Sequence, residues 1–141
     1  MQVLRMVRLT DDIKGDLGKV RILPLATATP SGEPNVVPMG MVILQDDDET
    51  FWIIDNFMQK TLRNVTDNPK VALYVWSTET TGAWQIKGTI TSIETDGPDH
   101  EKAKAIANAR REGMPAKTLL KMKVTEAYSV SPGPNAGKKV L

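Results

Sequence analysis

The sequence predicts a mainly β domain, an antiparallel barrel or sandwich with three short helices, and three observations carry that expectation. Six runs rich in β-branched and aromatic residues are bounded by turn signals. They mostly follow one another without an intervening helix, as antiparallel strands do and parallel β-α-β units do not. Helical periodicity is confined to three short stretches.

Thr10-Asp11-Asp12-Ile13 reads as an N-cap with an acidic first turn, and Gly18 closes that helix. Val20 to Ala28 is the first strand. Thr29-Pro30-Ser31-Gly32 turns the chain, because Pro presets its backbone angle and Gly accepts a positive one. Val36 to Leu44 returns as the hairpin partner. Gln45-Asp46-Asp47-Asp48-Glu49 is a solvated hairpin tip, since it lacks the spacing and central Gly of a calcium loop. Thr50 to Ile54 is the third strand. Met58, Leu62 and Val65 then recur at helical spacing until Asp67-Asn68-Pro69 stops the helix. Val71 to Trp76 and Trp84 to Ile93 are strands. Gly97-Pro98 opens a helix with Ala103, Ile106, Ala107 and Arg110 on one face, and Gly113-Met114-Pro115 ends it. Thr118 to Tyr128 is the sixth strand, followed by a tail with two prolines and two glycines.

A length of 141 residues, 40% of them hydrophobic, suits one domain over 1–141 with a core of its own. The chain has no cysteine. Thiol nucleophiles, thiolate metal sites and iron–sulfur clusters are thereby excluded, so redox chemistry requires a borrowed cofactor. No apolar run approaches the ~20 residues of a membrane span, and Met1 to Arg8 holds no leader-like stretch, so a soluble cytoplasmic protein is expected. The net charge of +1 divides unevenly, −5 over residues 1–100 and +6 over 101–141. A basic C-terminal part could meet phosphates, including those of nucleic acid, but a solvated helix face and a lysine-protected edge strand are the preferred account of it. Only 5% of residues are aromatic, and no strand interleaves aromatic with basic residues, which disfavours a nucleic-acid platform.

The single histidine, His100, stands between Asp99 and Glu101 in the first turn of a charged helix and is expected to be exposed. One histidine supports neither a zinc site nor a well-placed triad, and no residue is nominated as a metal ligand or catalytic acid or base. No GxGxxG is present. Gly133 to Lys138 looks like a phosphate loop but is one residue short, is followed by Lys139 instead of Ser or Thr, and leaves no room for a helix. That tail is read as covering the barrel or reaching a second subunit. The segment with chemical promise is Asp55-Asn56-Phe57-Met58-Gln59-Lys60-Thr61, where a strand ends and a helix begins. Backbone amides, a lysine and a hydroxyl at a helix start can cradle a phosphate, but many helices start with Lys-Thr and bind nothing, so on local sequence alone a solvated helix start is the preferred reading.

Taken together and in order, Leu25 to Ala28, Ser31 to Met39, Lys60-Thr61-Leu62-Arg63-Asn64-Val65, Asn68 to Leu73 and Gln85-Ile86-Lys87-Gly88 resemble the FMN-binding split-barrel family. This family comprises the pyridoxamine phosphate oxidase-like proteins and the small FMN-binding proteins. The resemblance runs from about Leu17 to Tyr128. It implies a six-stranded antiparallel split barrel and a homodimer with FMN at the subunit interface. By position, Lys60 and Thr61 match the pair that receives the FMN phosphate, Pro38, Met39 and Gly40 the strand along the flavin ring, and Asp55 and Asn56 the strand end bordering the cofactor. Trp84 and Gln85 match a neighbouring strand that approaches the flavin. True pyridoxamine phosphate oxidases are longer and carry a basic, His-containing C-terminal signature, so the small FMN-binding branch is the nearer match. The implied activity is oxidoreduction or electron transfer with NAD(P)H or a redox protein as donor. A deazaflavin-binding relative and a nucleic-acid-binding barrel are the alternatives.

Overall fold

The computed structural model describes residues 7–141; residues 1–6, most of the stretch read for a leader, lie outside the described residues. The elements are α1 (Asp11–Leu17), β1 (Leu23–Ala28), β2 (Pro34–Met39), β3 (Val42–Leu44), β4 (Thr50–Asp55), α2 (Lys60–Asp67), β5 (Lys70–Val75), β6 (Trp84–Glu94), α3 (Pro98–Arg110), β7 (Thr118–Ser129) and β8 (Lys138–Lys139). Thr10 caps α1 as expected, its hydroxyl accepting the Ile13 amide at 3.4 Å.

Among the described residues eight strands stand where six were expected. The run from Val36 to Leu44 is interrupted at Gly40 and Met41, where the Met41 carbonyl accepts the Ile54 amide at 3.0 Å, and the tail adds the two-residue β8. The expectation of an antiparallel barrel with short helices holds: every pairing is antiparallel, in the order β2-β1-β5-β6-β7-β4-β3, with β8 beside β7.

That order forces the sheet to curl. β2 and β3 are its two edges, yet only Gly40 and Met41 join them. Six strand spacings would hold the edges about 29 Å apart in a flat sheet. Three Cα steps span at most about 11 Å. The sheet therefore closes into a barrel that is split between β2 and β3, each of which pairs on one side only.

Alternation fills the interior. Leu23, Leu25 and Thr27 of β1 point inward, and Phe51, Ile53, Leu73, Ile86, Leu120 and Met122 complete a buried cluster. Each such side chain contributes about 1.5–3 kcal/mol by leaving water. β4 and β7 are also covered outside, where Ile54 and Leu119 pack on Ala103 and Ala107 of α3. Small alanines let the helix lie close to the strands. The tail covers its own barrel: Leu141 packs against the main core, and the Gly133 to Lys138 segment is a turn whose Gly137 amide donates to Ser129 O at 2.7 Å. Among the described residues no helix is long and apolar enough to cross a membrane.

Gly88 sits where β6 shifts register against β7. A Cβ there would collide with the Lys123 carbonyl oxygen and come within 2.6 Å of Met122 Cε. The carbonyl cannot yield without breaking the sheet. Gly88→Ala is expected to cost about 1–3 kcal/mol by overpacking, read as a lower urea midpoint with an unchanged m-value.

Candidate functional site

A cleft of about 1430 Å³ opens at the split between β2 and β3. Its charged lining is one-signed: Lys14, Arg21, Lys60, Arg110 and Arg111 line it, and no carboxylate among the described residues does. Lys14 is neutralised by Asp48 at 2.9 Å. The remaining cations give the cleft a field that favours an anion. Met39, Met41, Met58 and Met114 supply a soft apolar wall suited to a flat aromatic ring, with the exposed Phe57 and Ile22 among its other apolar lining residues.

One end is the start of α2. Its N-cap residue Gln59 makes no side-chain cap bond, so the first-turn amides lack the usual acceptor. Thr61 is buried, and its hydroxyl accepts from Asn35 Nδ2 at 3.1 Å, which leaves the hydroxyl proton free to be donated. The same Asn35 group reaches Thr27 Oγ1 at 3.2 Å, and Asn64 Nδ2 donates to Thr27 Oγ1 at 3.0 Å. This network ties α2 to β1 and β2. At the other end Arg110 Nη1 donates to Gly40 O at 3.3 Å. Five residues of β2 path, from Asn35 to Gly40, separate the ends by about 17 Å.

Six of the expected residues, Pro38, Met39, Gly40, Asn56, Lys60 and Thr61, line this one cleft. Asp55 lies behind its wall, with Oδ1 accepting the Met58 amide at 2.6 Å and Oδ2 buried without a partner. Trp84 and Gln85 stand elsewhere. The Trp84 indole N–H donates to Asp16 Oδ2 at 2.8 Å, and Gln85 lies on the outer face of the sheet in a shallow groove of about 360 Å³ with Val36 and Tyr74.

The family model for pyridoxamine 5'-phosphate oxidase matches residues 9–131. The chain belongs to that family. It is 34% identical to an uncharacterized protein of Methanocaldococcus jannaschii over 96% of this chain and 89% of that one. It is 27% identical to the pyridoxine/pyridoxamine 5'-phosphate oxidase of Nostoc punctiforme over 83% of this chain, but spans only 58% of the Nostoc protein. Among solved structures, HupZ of Group A Streptococcus superposes with a TM-score of 0.76 at 29% identity, covering 92% of this chain and 99% of HupZ. An FMN-binding protein from Syntrophomonas wolfei superposes with a TM-score of 0.71 at 16% identity, over 82% and 81% of the two chains, a likeness of fold.

Within this family framework Asp16 anchors the cleft's outer rim. It is 1% exposed and accepts the Thr81 and Gly82 amides at 2.9 Å each, besides the Trp84 indole and the Thr81 hydroxyl. Burial by itself would raise its pKa; the Trp84, Thr81 and Gly82 donors outweigh burial and hold it at about 2. The clamp fixes the end of α1, from which Leu17, Gly18 and Val20 enter the cleft lining. The Trp84 indole N–H is committed to this clamp.

His100 is a correction: it is 8% exposed, not solvated, with Nε2 2.8 Å from Ala116 O. The segment leaving α3 folds back toward β7 and covers it. Sequence reasoning does not nominate Arg21, Arg110, Arg111 or Asp16 as site or support residues. Arg110 carried a signal, an arginine on the apolar stripe of its helix. Asp16 carried none, because its donors lie more than sixty residues away.

Asp16 should leave a pH signature. Its folded pKa lies below the ordinary 3.8, so the unfolded chain binds more protons in that window and stability rises with pH. Roughly 2 kcal/mol is present above pH 4 and is lost as pH falls through about 2. Chemical denaturation across this range should show a steeper loss in the native protein than in Asp16→Asn; equal slopes would contradict the clamp.

Proposed function

We propose that the cleft binds FMN and that the protein is an FMN-dependent oxidoreductase or electron carrier. The observation that carries this reading is the convergence on one cleft of an uncapped helix start bearing Lys60 and Thr61, a carboxylate-free basic lining and a thioether wall. The first-turn amides of α2, the Thr61 hydroxyl and the Lys60 ammonium would hold the phosphate of FMN. Pro38, Met39, Gly40 and Asn56 would border its ring. Bound FMN supplies hydride or single-electron transfer. The chain's own residues bind, orient and shield it. Asn35 keeps Thr61 in place, Met39 and Met41 exclude water from the ring, and Arg110 brings a positive charge to its far end. The electron donor is NAD(P)H or a redox protein. Family membership and the FMN-binding neighbour support the reading.

The native protein should purify yellow or take up FMN stoichiometrically, and should prefer FMN to riboflavin, because a charge-assisted phosphate bond contributes about 1.5–3 kcal/mol. Lys60→Ala is expected to weaken FMN by about ten- to a hundredfold while leaving the apo melting temperature unchanged, since Lys60 is exposed. Equal affinity for FMN and riboflavin in a titration would sink the phosphate assignment, and a bound chromophore with a deazaflavin spectrum would replace FMN in this account.

The working form proposed is a homodimer that joins through the outer face of β1, β2, β5 and β6. There Val36 is 65% and Trp76 52% exposed, and Tyr74 of β5 pairs with Gln85 of β6, a largely apolar strip a twofold contact would cover on both subunits. Sedimentation at micromolar concentration should show a dimer, and Trp76→Glu should dissociate it. A Trp76→Glu protein that stays dimeric would contradict this choice of face.

A further inference from the structure

Three contacts lead from the covered start of α3 to the wall of the cleft. His100 Nε2 lies 2.8 Å from Ala116 O. The Ala116 amide donates to Asn56 Oδ1 at 2.9 Å, and Asn56 Nδ2 lies 3.6 Å from Met41 Sδ. Donor and acceptor chemistry assigns the atoms. A carbonyl only accepts, so Nε2 carries the ring proton; a backbone N–H only donates, so the Asn56 oxygen faces Ala116 and its NH₂ faces Met41. Asn56 and Met41 both line the cleft.

Ala116 adopts φ 42°, in the left-handed region that non-glycine residues avoid. It is buried, with its N–H and its carbonyl tied on opposite sides, to Asn56 and to His100. Such a conformation persists where its surroundings over-determine it. His100 Nδ1 is buried without a partner, so the ring is desolvated for the single bond it makes.

We infer that His100 is a positioning residue: through the constrained backbone of Ala116 it fixes the Asn56 amide so that an N–H is presented to a hydrogen-bond acceptor on a planar heteroaromatic ligand in the cleft. The thioether of Met41 is a weak acceptor, which leaves Asn56 N–H capacity for a ring carbonyl or ring nitrogen. An amide turned the other way would set oxygen against that acceptor. Identifying the ligand with the flavin rests on the FMN reading; the positioning of Asn56 does not.

The test has an apo arm and a loaded arm. In the apo protein the Asn56 side-chain amide resonances should be displaced from those of a free asparagine. They should stay so in His100→Gln, which keeps an N–H donor, and collapse toward the free value in His100→Leu. Resonances unmoved by His100→Leu would overturn the inference, whether or not FMN binds. Should His100→Leu fail to fold, the native protein decides: ring nitrogen shifts must report a proton on Nε2 and a bare Nδ1, and the opposite tautomer overturns it. In the loaded protein His100→Leu should weaken FMN about tenfold and shift the bound-flavin absorption as Asn56→Ala does. The double variant should go no further, and His100→Gln should stay within about twofold of native. Additive effects would contradict action through Asn56. A native protein that takes up no FMN defeats the cofactor reading, while the apo resonances still decide the role of His100.

Discussion

The two-residue link between β2 and β3 is the constraint on which the rest of the structure depends. Because Gly40 and Met41 join the two edges of one sheet, the sheet must close, and because the same two residues cannot pair both edges, the closure is incomplete. The split is the cleft. The link also brings Met39, Gly40 and Met41 to its wall and gives Arg110 a backbone carbonyl to hold. One topological fact thereby gathers residues from β2, β3, α2 and α3 around a common space.

Precision in that space comes from buried polar groups. Thr27, Asn35, Thr61 and Asn64 form a network in which the Asn35 and Asn64 amides both reach Thr27 and Asn35 also reaches Thr61. Leaving any of these groups unpaired would cost about 1–3 kcal/mol, so α2 has little freedom to rotate its first turn away from the cleft. Asp16 does the same for α1 with a charged acceptor, and its donors are numerous enough to keep the carboxylate ionised despite burial. The hairpin tip repeats the theme at the surface. Asp47 accepts the Glu49 and Thr50 amides at 3.0 and 2.9 Å, Asp48 pairs with Lys14, and Glu49 pairs with Lys123. These carboxylates are turn and ion-pair residues.

Local signals made much of this legible. Thr10, the Pro30 to Gly32 turn, Gly97-Pro98 and the strand-like runs that become β1 and β5 act within a few residues, and the elements they predict are present. Gly40 as a strand break was harder to see, because a glycine within an apolar run is compatible with a continuous strand, and the interruption follows from closure of the sheet. The same distinction separates the site residues. Lys60 and Thr61 are marked by their place at a strand-to-helix junction, and Pro38 to Gly40 by the resemblance. Trp84 and Gln85 are marked by the resemblance alone, and the bond between the Trp84 indole and Asp16 joins residues too far apart in sequence to leave a local signal. His100 looked solvated among Asp99 and Glu101, and only the return of the chain at Ala116 buries it.

The most direct test of the central claim is a crystal structure of the protein grown with FMN. The phosphate should lie within hydrogen-bonding distance of the Thr61 hydroxyl, the first-turn amides of α2 and Lys60 Nζ, with the ring against Met39 to Met41. A phosphate held instead by Arg110 and Arg111, or a flavin lying outside the split between β2 and β3, would contradict the account.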